Sequence, residues 1–416
     1  MMERAWPKVR LADCVDLQAG FAFKSQYFSD DPSDVPLVKG ENVSQGRVLW
    51  DISKRWAASE WDQLEKFHLV PGDVVVAMDR PWVPAGLKWS FIRNDDPKSL
   101  LVQRCARLRS NTDALDQNFL RFVIGGSGFE NYVKPITTGV NVPHISGQQI
   151  LDYEFDLPPL PIQIRIAGIL SAYDELIENN QRRIKVLEEM ARSLYREWFV
   201  HFRYPGHEAV PLVDSPLGPT PQGWKVQPLT ECVEIKPRVT IPREGEKPFV
   251  PMGCLSNDSM LISNIGSRAG NSGSKFQNGD TLFARITPCL ENGKTGYVQF
   301  LPGNEDVAFG STEFIVLRSR TMTPEYVYCL ARSDEFRDLA IKSMTGASGR
   351  QRVQESCFGQ MSLAQPPQYL LDKFSTIAKS NFLSVYKLHI QNQNLRRTRD
   401  LLLPKLLSGQ ISLDTV

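Results

Sequence analysis

The chain repeats itself, and no other feature constrains its fold as much. Asp13-Cys14-Val15 is matched by Glu231-Cys232-Val233, and Gly72-Asp73, leading an apolar run to Pro81, by Gly279-Asp280, leading a similar run to Pro288. Leu108-Arg109-Ser110 returns as Leu317-Arg318-Ser319, and Ser127-Gly128-Phe129 resembles Asp334-Glu335-Phe336. Thr138-Gly139 is followed by Thr345-Gly346, and Leu157-Pro158-Pro159 by Gln365-Pro366-Pro367. The order is kept and the shift stays between about 207 and 218 residues, so the chain reads as a tandem duplication. Its 416 residues leave room for the two or three domains that this requires.

Within each copy the texture changes once. The first 155 residues or so carry short apolar runs, such as Val74-Val75-Val76-Ala77 and Phe314-Ile315-Val316-Leu317, cut by Gly, Pro, Asn and Asp. That is the texture of strands and turns with a few helices, hence an α+β fold. After the double proline it becomes continuously helical. Ile177, Ile184, Ala191 and Trp198 fall seven apart with Leu187 and Leu194 between them, which is an a/d seam, and Leu388, Leu395 and Leu402 repeat the period. A shift of 208 superimposes Leu187 on Leu395, Leu194 on Leu402 and Trp198 on Leu406. Because both copies carry the seam at matching positions, the two helices are expected to pack together rather than each on its own domain. The first helix should stop near Phe202, ahead of Pro205-Gly206, and the linker from Val210 to Trp224 is too rich in Pro and Gly for a helix or a central strand. The last should stop at Ser408-Gly409 with Gly409 as its cap, and Pro404 should kink its final turn or end it early.

Composition and motifs narrow the chemistry. No apolar run approaches the roughly 18 residues that a membrane helix needs. The start, Met1 to Pro7, lacks the apolar core of a signal peptide, so a cytoplasmic location is expected. Seven cysteines, an odd number without a Cys-x-x-Cys pair, read as reduced thiols. The net charge of +1 means that any DNA affinity must come from local patches or from partners. Neither a Gly-x-Gly-x-x-Gly nor a Gly-x-x-x-x-Gly-Lys-Ser/Thr loop is present, so no dinucleotide or ATP site is expected. The histidines (His68, His144, His201, His207, His389) are scattered, with no His-Glu-x-x-His, so no metal site is expected either. There is no Gly-x-Ser-x-Gly elbow, and the acid-x-Lys triplets at Asp96-Pro97-Lys98 and Glu234-Ile235-Lys236 occur no more often than chance supplies. Gln365-Pro366-Pro367-Gln368-Tyr369 lacks the asparagine of the amino-methyltransferase signature and reads as a turn that launches a helix. The chain is expected to catalyse nothing itself.

Two similar domains, each followed by a long helix, suit an object that presents two reading heads at a fixed separation. A helix from about Pro161 to Phe202 would be roughly 60 Å long, and its heptad part about 35 to 40 Å. One turn of B-DNA is about 34 Å, the spacing at which paired modules engage half-sites. Similar but non-identical domains would read different short sequences, giving a split, asymmetric target. The other reading that this architecture admits is a two-lobed protein-binding scaffold or an orphan regulatory protein without DNA specificity.

Particular segments then point to a family. They are Val9-Arg10-Leu11-Ala12-Asp13-Cys14-Val15, Gly20-Phe21-Ala22-Phe23-Lys24-Ser25, Val35-Pro36-Leu37-Val38-Lys39-Gly40, and the stretch from Leu157 through Pro161-Ile162-Gln163 to Leu170. Pro221-Gln222-Gly223-Trp224-Lys225 and Leu403-Pro404-Lys405-Leu406-Leu407-Ser408-Gly409 complete the set. On these the chain resembles the specificity subunit of a type I restriction-modification system, along nearly its whole length. The second copy departs from the first, with Pro248 to Gly253 in place of the Val-Lys-Gly stretch and Gln365-Pro366-Pro367-Gln368 in place of Leu-Pro-Pro.

The resemblance implies an α+β chain with two tandem-repeated α/β target recognition domains, separated by two long helices that form an antiparallel coiled coil. The expected boundaries are 1–157 for the first recognition domain, 158–204 for the first spacer helix, 205–365 for the linker and second recognition domain, and 366–416 for the second spacer helix. It further implies double-stranded DNA as ligand and two methyltransferase subunits docked on the helices. In the family, motor and nuclease restriction subunits join them. S-adenosylmethionine, ATP and Mg2+ are used by those partners, and this chain has no cofactor of its own.

Base readout needs Arg, Lys, Asn, Gln, Ser or Thr on loops that can enter a groove. In the first domain the candidates are Lys24, Ser25, Lys39, Asn42, Arg80, Lys88, Thr138, Asn141 and His144. In the second they are Arg285, Glu291, Asn292, Lys294, Ser348, Arg350, Gln351 and Arg352. The sharpest cluster is 346–352, a glycine-flexed loop with two arginines and a glutamine. Arg182, Arg183 and Lys185 lie off the seam and read as a solvated or partner-facing strip.

Overall fold

The computed structural model describes residues 6–84, 86–138, 143–347, 349–411 and 413. The chain divides into two compact units, Met1–Leu176 with Asn394–Val416, and Ile177–Gln393. The class is α+β.

In the first unit the apolar run Val74–Ala77 (β6) is buried along its whole length because it is covered on both faces. It lies in an antiparallel sheet ordered β2 (Val15–Ala19), β11 (Cys105–Ser110), β6, β9 (Trp89–Phe91). Successive side chains of a strand point to opposite faces. Val74 and Val76 therefore join Leu108, Phe119 and Val123 beneath α1 (Gln117–Ile124) and α2 (Ser127–Ile136). Val75 and Ala77 join Val38, Leu69 and Leu101 of a second sheet. That sheet is ordered β4 (Arg55–Trp56), β3 (Val35–Val38), β10 (Ser99–Leu101), β5 (His68–Leu69), with β3 and β10 parallel. A hairpin of β7 (Trp82–Val83) and β8 (Gly86–Leu87) interrupts the chain between β6 and β9. β1 (Lys8–Arg10) pairs antiparallel with β12 (Glu154–Asp156), which follows the short α3 (Gly147–Leu151).

The second unit has the same arrangement. One antiparallel sheet is ordered β16 (Val233–Ile235), β23 (Phe314–Ser319), β20 (Thr281–Ala284), β21 (Thr295–Tyr297). The other is ordered β18 (Gly266–Ala269), β17 (Glu246–Val250), β22 (Ala308–Gly310), β19 (Ser274–Phe276), with β17 and β22 parallel. Leu282, Phe314 and Val316 face Val250 and Phe276, while Phe283, Ile315 and Leu317 face Tyr326, Leu330 and Phe336 of α6 (Pro324–Arg332) and α7 (Asp334–Lys342). β15 (Lys225–Pro228) runs into α5 (Leu229–Cys232) and pairs with β24 (Ser362–Gln365). The linker holds only the two-residue strands β13 (Leu212–Val213) and β14 (Thr220–Pro221), as its Pro and Gly content requires.

The repeated Gly-Asp and Leu-Arg-Ser segments form the same device twice. Asp73 and Asp280, each about 1% exposed, accept a backbone N–H three residues back, from Val70 and Gln277, both at 2.8 Å. Arg109 reaches Asp73 Oδ2 at 2.8 Å, and Arg318 reaches Asp280 at 2.6 and 2.7 Å. Burial pushes the Asp280 carboxyl upward, against the pull of Arg318.

Two long helices, α4 (Leu160–Tyr195) and α8 (Gln368–Leu407), contribute to both units. In the first unit Ile166, Ala167, Leu170 and Leu406 join the core under α1. In the second, Ile184, Ala191, Tyr195 and Trp198 pack with Phe374, Phe382, Val385 and Leu388. α4 ends in a π-helical turn, Arg196–Val200, and the chain leaves the helix at Phe202, whose φ is 57°. α8 does not stop early: it runs through Pro404 to Leu407. A proline in the last turn forfeits only one backbone bond there. Gly409 follows with φ 72°, the left-handed conformation that a helix C-cap favours.

Candidate nucleic-acid interface

Several of the candidate residues meet where β6 and β20 end, Arg80, Thr138 and His144 in the first unit and Arg285, Gln351 and Arg352 in the second. In the first unit the loop that begins at Thr138 returns to the corner after β6. Thr138 and His144 exchange backbone hydrogen bonds of 3.0 and 2.7 Å, and Arg80 N–H donates to the carbonyl of Pro143 at 2.7 Å. His144 Nδ1 lies 2.5 Å from Asp79 Oδ1, and Arg104 meets Asp79 Oδ2 at 3.0 Å. A Cβ at Gly40 would come within 3.7 Å of the carbonyl oxygen of Asp79, Lys88 Nζ donates to the carbonyl of Gly40 (2.9 Å), and Lys39 sits over the ring of Phe28. Lys24 and Ser25 lie on the turn that leads into Phe28.

In the second unit Thr345 and Arg352 exchange the matching backbone bonds, at 3.1 and 2.9 Å. The Arg352 guanidinium grips Glu313 at 3.0 Å through Nε and 2.8 Å through Nη2, which holds the Glu313 carboxyl below its ordinary range. Gln351 is fastened through its backbone to Thr287. Between Thr345 and Arg352 the loop turns on Gly346 (φ 131°) and Gly349 (φ 78°), conformations that favour glycine. Each unit thus ties a loop by its base to the same strand corner, through a histidine on an aspartate in one and an arginine on a glutamate in the other.

Partners divide the candidates. Several have their polar groups engaged inside the protein: Lys39 by Glu41 (2.8 Å), Lys88 by Gly40, His144 by Asp79 and Arg352 by Glu313. Arg285 binds Glu355 (2.6 Å) and the carbonyl of Val353, and Lys294 binds the carbonyl of Leu255 at 2.7 Å. Asn42 corrects the expectation of a surface reader. It is 0% exposed, its Nδ2 donates to the carbonyl of Leu37 (2.9 Å) and its Oδ1 accepts from Lys39 N–H (2.8 Å), so it closes a turn. Lys24, Ser25, Arg80, Asn292 and Arg350 are exposed, with no side-chain partner among the described residues, and Glu291 and Thr138 are exposed as well. Arg80 projects from a left-handed backbone (φ 45°), an uncommon conformation for arginine. Asn141 and Ser348 lie outside the described residues.

On the helices, Ile177, Ile184, Trp198 and Leu388 are buried, while Leu187, Leu194, Leu395 and Leu402 are half-buried. The seam also contains residues that sequence reasoning passed over. Asn180 and Asn392 are buried and bonded to each other at 3.0 Å. In the first unit Asp174 joins Arg121 (3.1 Å) and Arg399 (2.6 Å). Seven-residue spacing alone would have placed Asn180 on the seam, ahead of Leu187. The anchoring acids Asp79, Glu313 and Glu355 had no such signal. Among the described residues no group of three or more His, Cys, Asp or Glu side chains could hold a metal ion, and no helix is long and apolar enough to cross a membrane.

Comparison with known proteins gives one result. The family model described as the type I restriction modification DNA specificity domain matches residues 3–189. The HindI specificity subunit of Haemophilus influenzae is 23% identical over 403 residues, 82% of this chain and 86% of that one. The MjaIX specificity subunit of Methanocaldococcus jannaschii is 23% identical over 316 residues, 73% and 71% of the two chains. The alignment with the MjaVIII subunit of the same organism, 25% over 189 residues, takes in only 44% of that relative. The crystal structure of the type I restriction-modification S subunit from M. genitalium shares the fold across 98% of this chain and 97% of its own, with a TM-score of 0.58 at 14% identity. By the specificity domain matched over residues 3–189 and by relatives of the same kind along most of the chain, this protein is similar to the type I restriction-modification specificity subunits, and it shares its fold with the M. genitalium S subunit.

Proposed function

We propose that the chain reads a split, asymmetric target in double-stranded DNA, one part through each unit, and catalyses nothing itself. The observation that carries the reading is the pair of loops fastened at matching corners. Exposed polar side chains without side-chain partners among the described residues are Lys24, Ser25 and Arg80 in the first unit and Asn292 and Arg350 in the second; of these Arg350 lies on a fastened loop and Arg80 at the corner that fastens the other. Such groups suit base edges and phosphates, and non-identical sets suit two different half-sites. The repeated sheets and loops support a tandem pair of target recognition domains. The hydrogen bonds from α4 to α8, with Asn180 at Asn392 and Leu187 at Asn381, run antiparallel and support a coiled coil whose length sets the spacer. Two methyltransferase subunits would dock on the helices and supply S-adenosylmethionine chemistry and further phosphate contacts, and motor and nuclease subunits that use ATP and Mg2+ would join them. The test is methylome sequencing of a host that carries this chain with its methyltransferase. A two-part motif that appears with the chain and vanishes without it supports the reading, and methylation without any motif dependent on the chain refutes it.

A further inference from the structure

Asn180 and Asn392 are 0% and 2% exposed. Asn180 Nδ2 donates to Asn392 Oδ1 (3.0 Å) and Gln391 Oε1 (3.1 Å), and Asn392 Nδ2 donates to the carbonyl of Ile177 (3.2 Å). Asn180 Oδ1 is buried without a partner among the described residues. An incompletely satisfied amide pair in a helix seam lowers stability relative to aliphatic residues. What it supplies in return is register and choice of partner.

The repeat identifies the partners that this pair refuses. The 208-residue shift carries Asn180 onto Leu388 and Ile184 onto Asn392, so each asparagine stands where the other helix has an aliphatic residue. If α4 paired with α4 of a second chain in this antiparallel register, Asn180 would face Ile184. An α8 pair would set Asn392 against Leu388. Either like-with-like pair buries two amides without partners, and only unlike helices bring amide to amide.

A second asymmetry, in the first unit, has the same sense. Arg121 is held between the rings of Phe91 and Phe122, 4.5 and 4.4 Å from their centroids, and shares Asp174 with Arg399. The shift carries Arg121 onto Cys329 and Asp174 onto Phe382, and carries Arg399 back onto Ala191, all buried in the second unit. A like-with-like α4 pair would offer Asp174 an alanine in place of Arg399, and an α8 pair would press Arg399 against Phe382.

We infer that the seam is coded for the pairing of α4 with α8 and rejects the pairing of either helix with its own copy from another chain. The inference rests on the antiparallel helix pair proposed above and not on DNA recognition.

The test uses the full-length chain. Asn180→Leu with Asn392→Ile gives both helices the same residues at the centre of the seam. In urea, each single variant should unfold earlier than the wild type and the double variant should recover, so that the effects do not add. A spin label at Arg182→Cys, in a Cys289→Ser background, reports like-with-like pairing as a short distance between chains. The double variant should raise that signal about tenfold or more over the wild-type seam, since orphaning a buried amide costs at least about that factor in an equilibrium constant. Additive single effects, or equal signals from the two seams, overturn the inference. A wild-type chain without sequence-specific DNA binding would count against the proposed function and leave this result standing.

Discussion

Replacing Arg350 by Ala tests whether the loop of the second unit reads bases. The side chain is exposed and has no partner among the described residues, so its removal should change stability by no more than about 0.5 kcal/mol. A guanidinium on a base edge carries about 1 to 3 kcal/mol of discrimination, roughly 5- to 150-fold. The assay is the methylation rate of the assembled complex on duplexes varied one base pair at a time. Selectivity should fall by that factor at one or two positions of a single half-site and hold elsewhere. A phosphate contact would instead weaken all sequences alike and make the salt slope shallower by about 0.9. Arg352→Ala is the control, because Arg352 fastens the loop to Glu313. It should weaken recognition of the whole half-site, Glu313→Gln should reproduce it, and the double variant should add little. Relaxation of both half-sites by Arg350→Ala, or no effect at all, refutes the assignment.

Four further outcomes follow from the geometry. Asp174→Ala leaves Arg121 and Arg399 without their shared counter-charge and, with Asp174 about 30% exposed, should cost about 2 kcal/mol by urea unfolding, whereas converting Arg121, Asp174 and Arg399 together to Cys, Phe and Ala should recover most of it. Arg352 depresses the Glu313 pKa in the folded state, so the stability this adds is present above the ordinary carboxylate range and is lost as pH falls through the folded value. The protection of the 345–352 amides, measured relative to their intrinsic exchange rates at each pH, should fall on acidification, and Glu313→Gln should flatten that dependence. Asn42→Ala removes two hydrogen bonds from a buried turn and should cost about 1 to 3 kcal/mol in thermal unfolding, without relaxing selectivity at any single base. Seven residues inserted into both helices, after Ile184 and before Leu388, should lengthen the methylated motif's spacer by about three base pairs, while an insertion in one helix alone should break the Asn180–Asn392 register and abolish activity.

Much of the architecture was legible in the sequence because it depends on periodicity. The run Val74–Ala77 reads as a strand covered on both faces, the double prolines mark the starts of the long helices, and Ile177, Ile184 and Ala191 mark a seam. The polar members of that seam were hidden because an asparagine in a charged helix reads as solvated until its partner, here 212 residues away, is known. The same limit governed the loops. Composition identifies cations, but whether a cation is available depends on acids brought near by folding. Asp79 is 65 residues from His144, and Glu313 is 39 from Arg352. Asn42 shows the reverse case, since an asparagine in a turn has the same sequence signature whether its amide faces water or closes the turn.

Fastening each loop at its base has a consequence for how such a chain can change. The Thr345–Arg352 bonds and the grip on Glu313 keep the ends of the loop in place whatever lies between them, and Gly346, Ala347, Gly349 and Arg350 are exposed and outside the hydrophobic core of their unit. Tip and footing are therefore separate modules, one open to substitution and the other held by its bonds. On the proposed function, a handful of substitutions at the tip would rewrite what one half of the molecule says while leaving the grammar of the fold as it was.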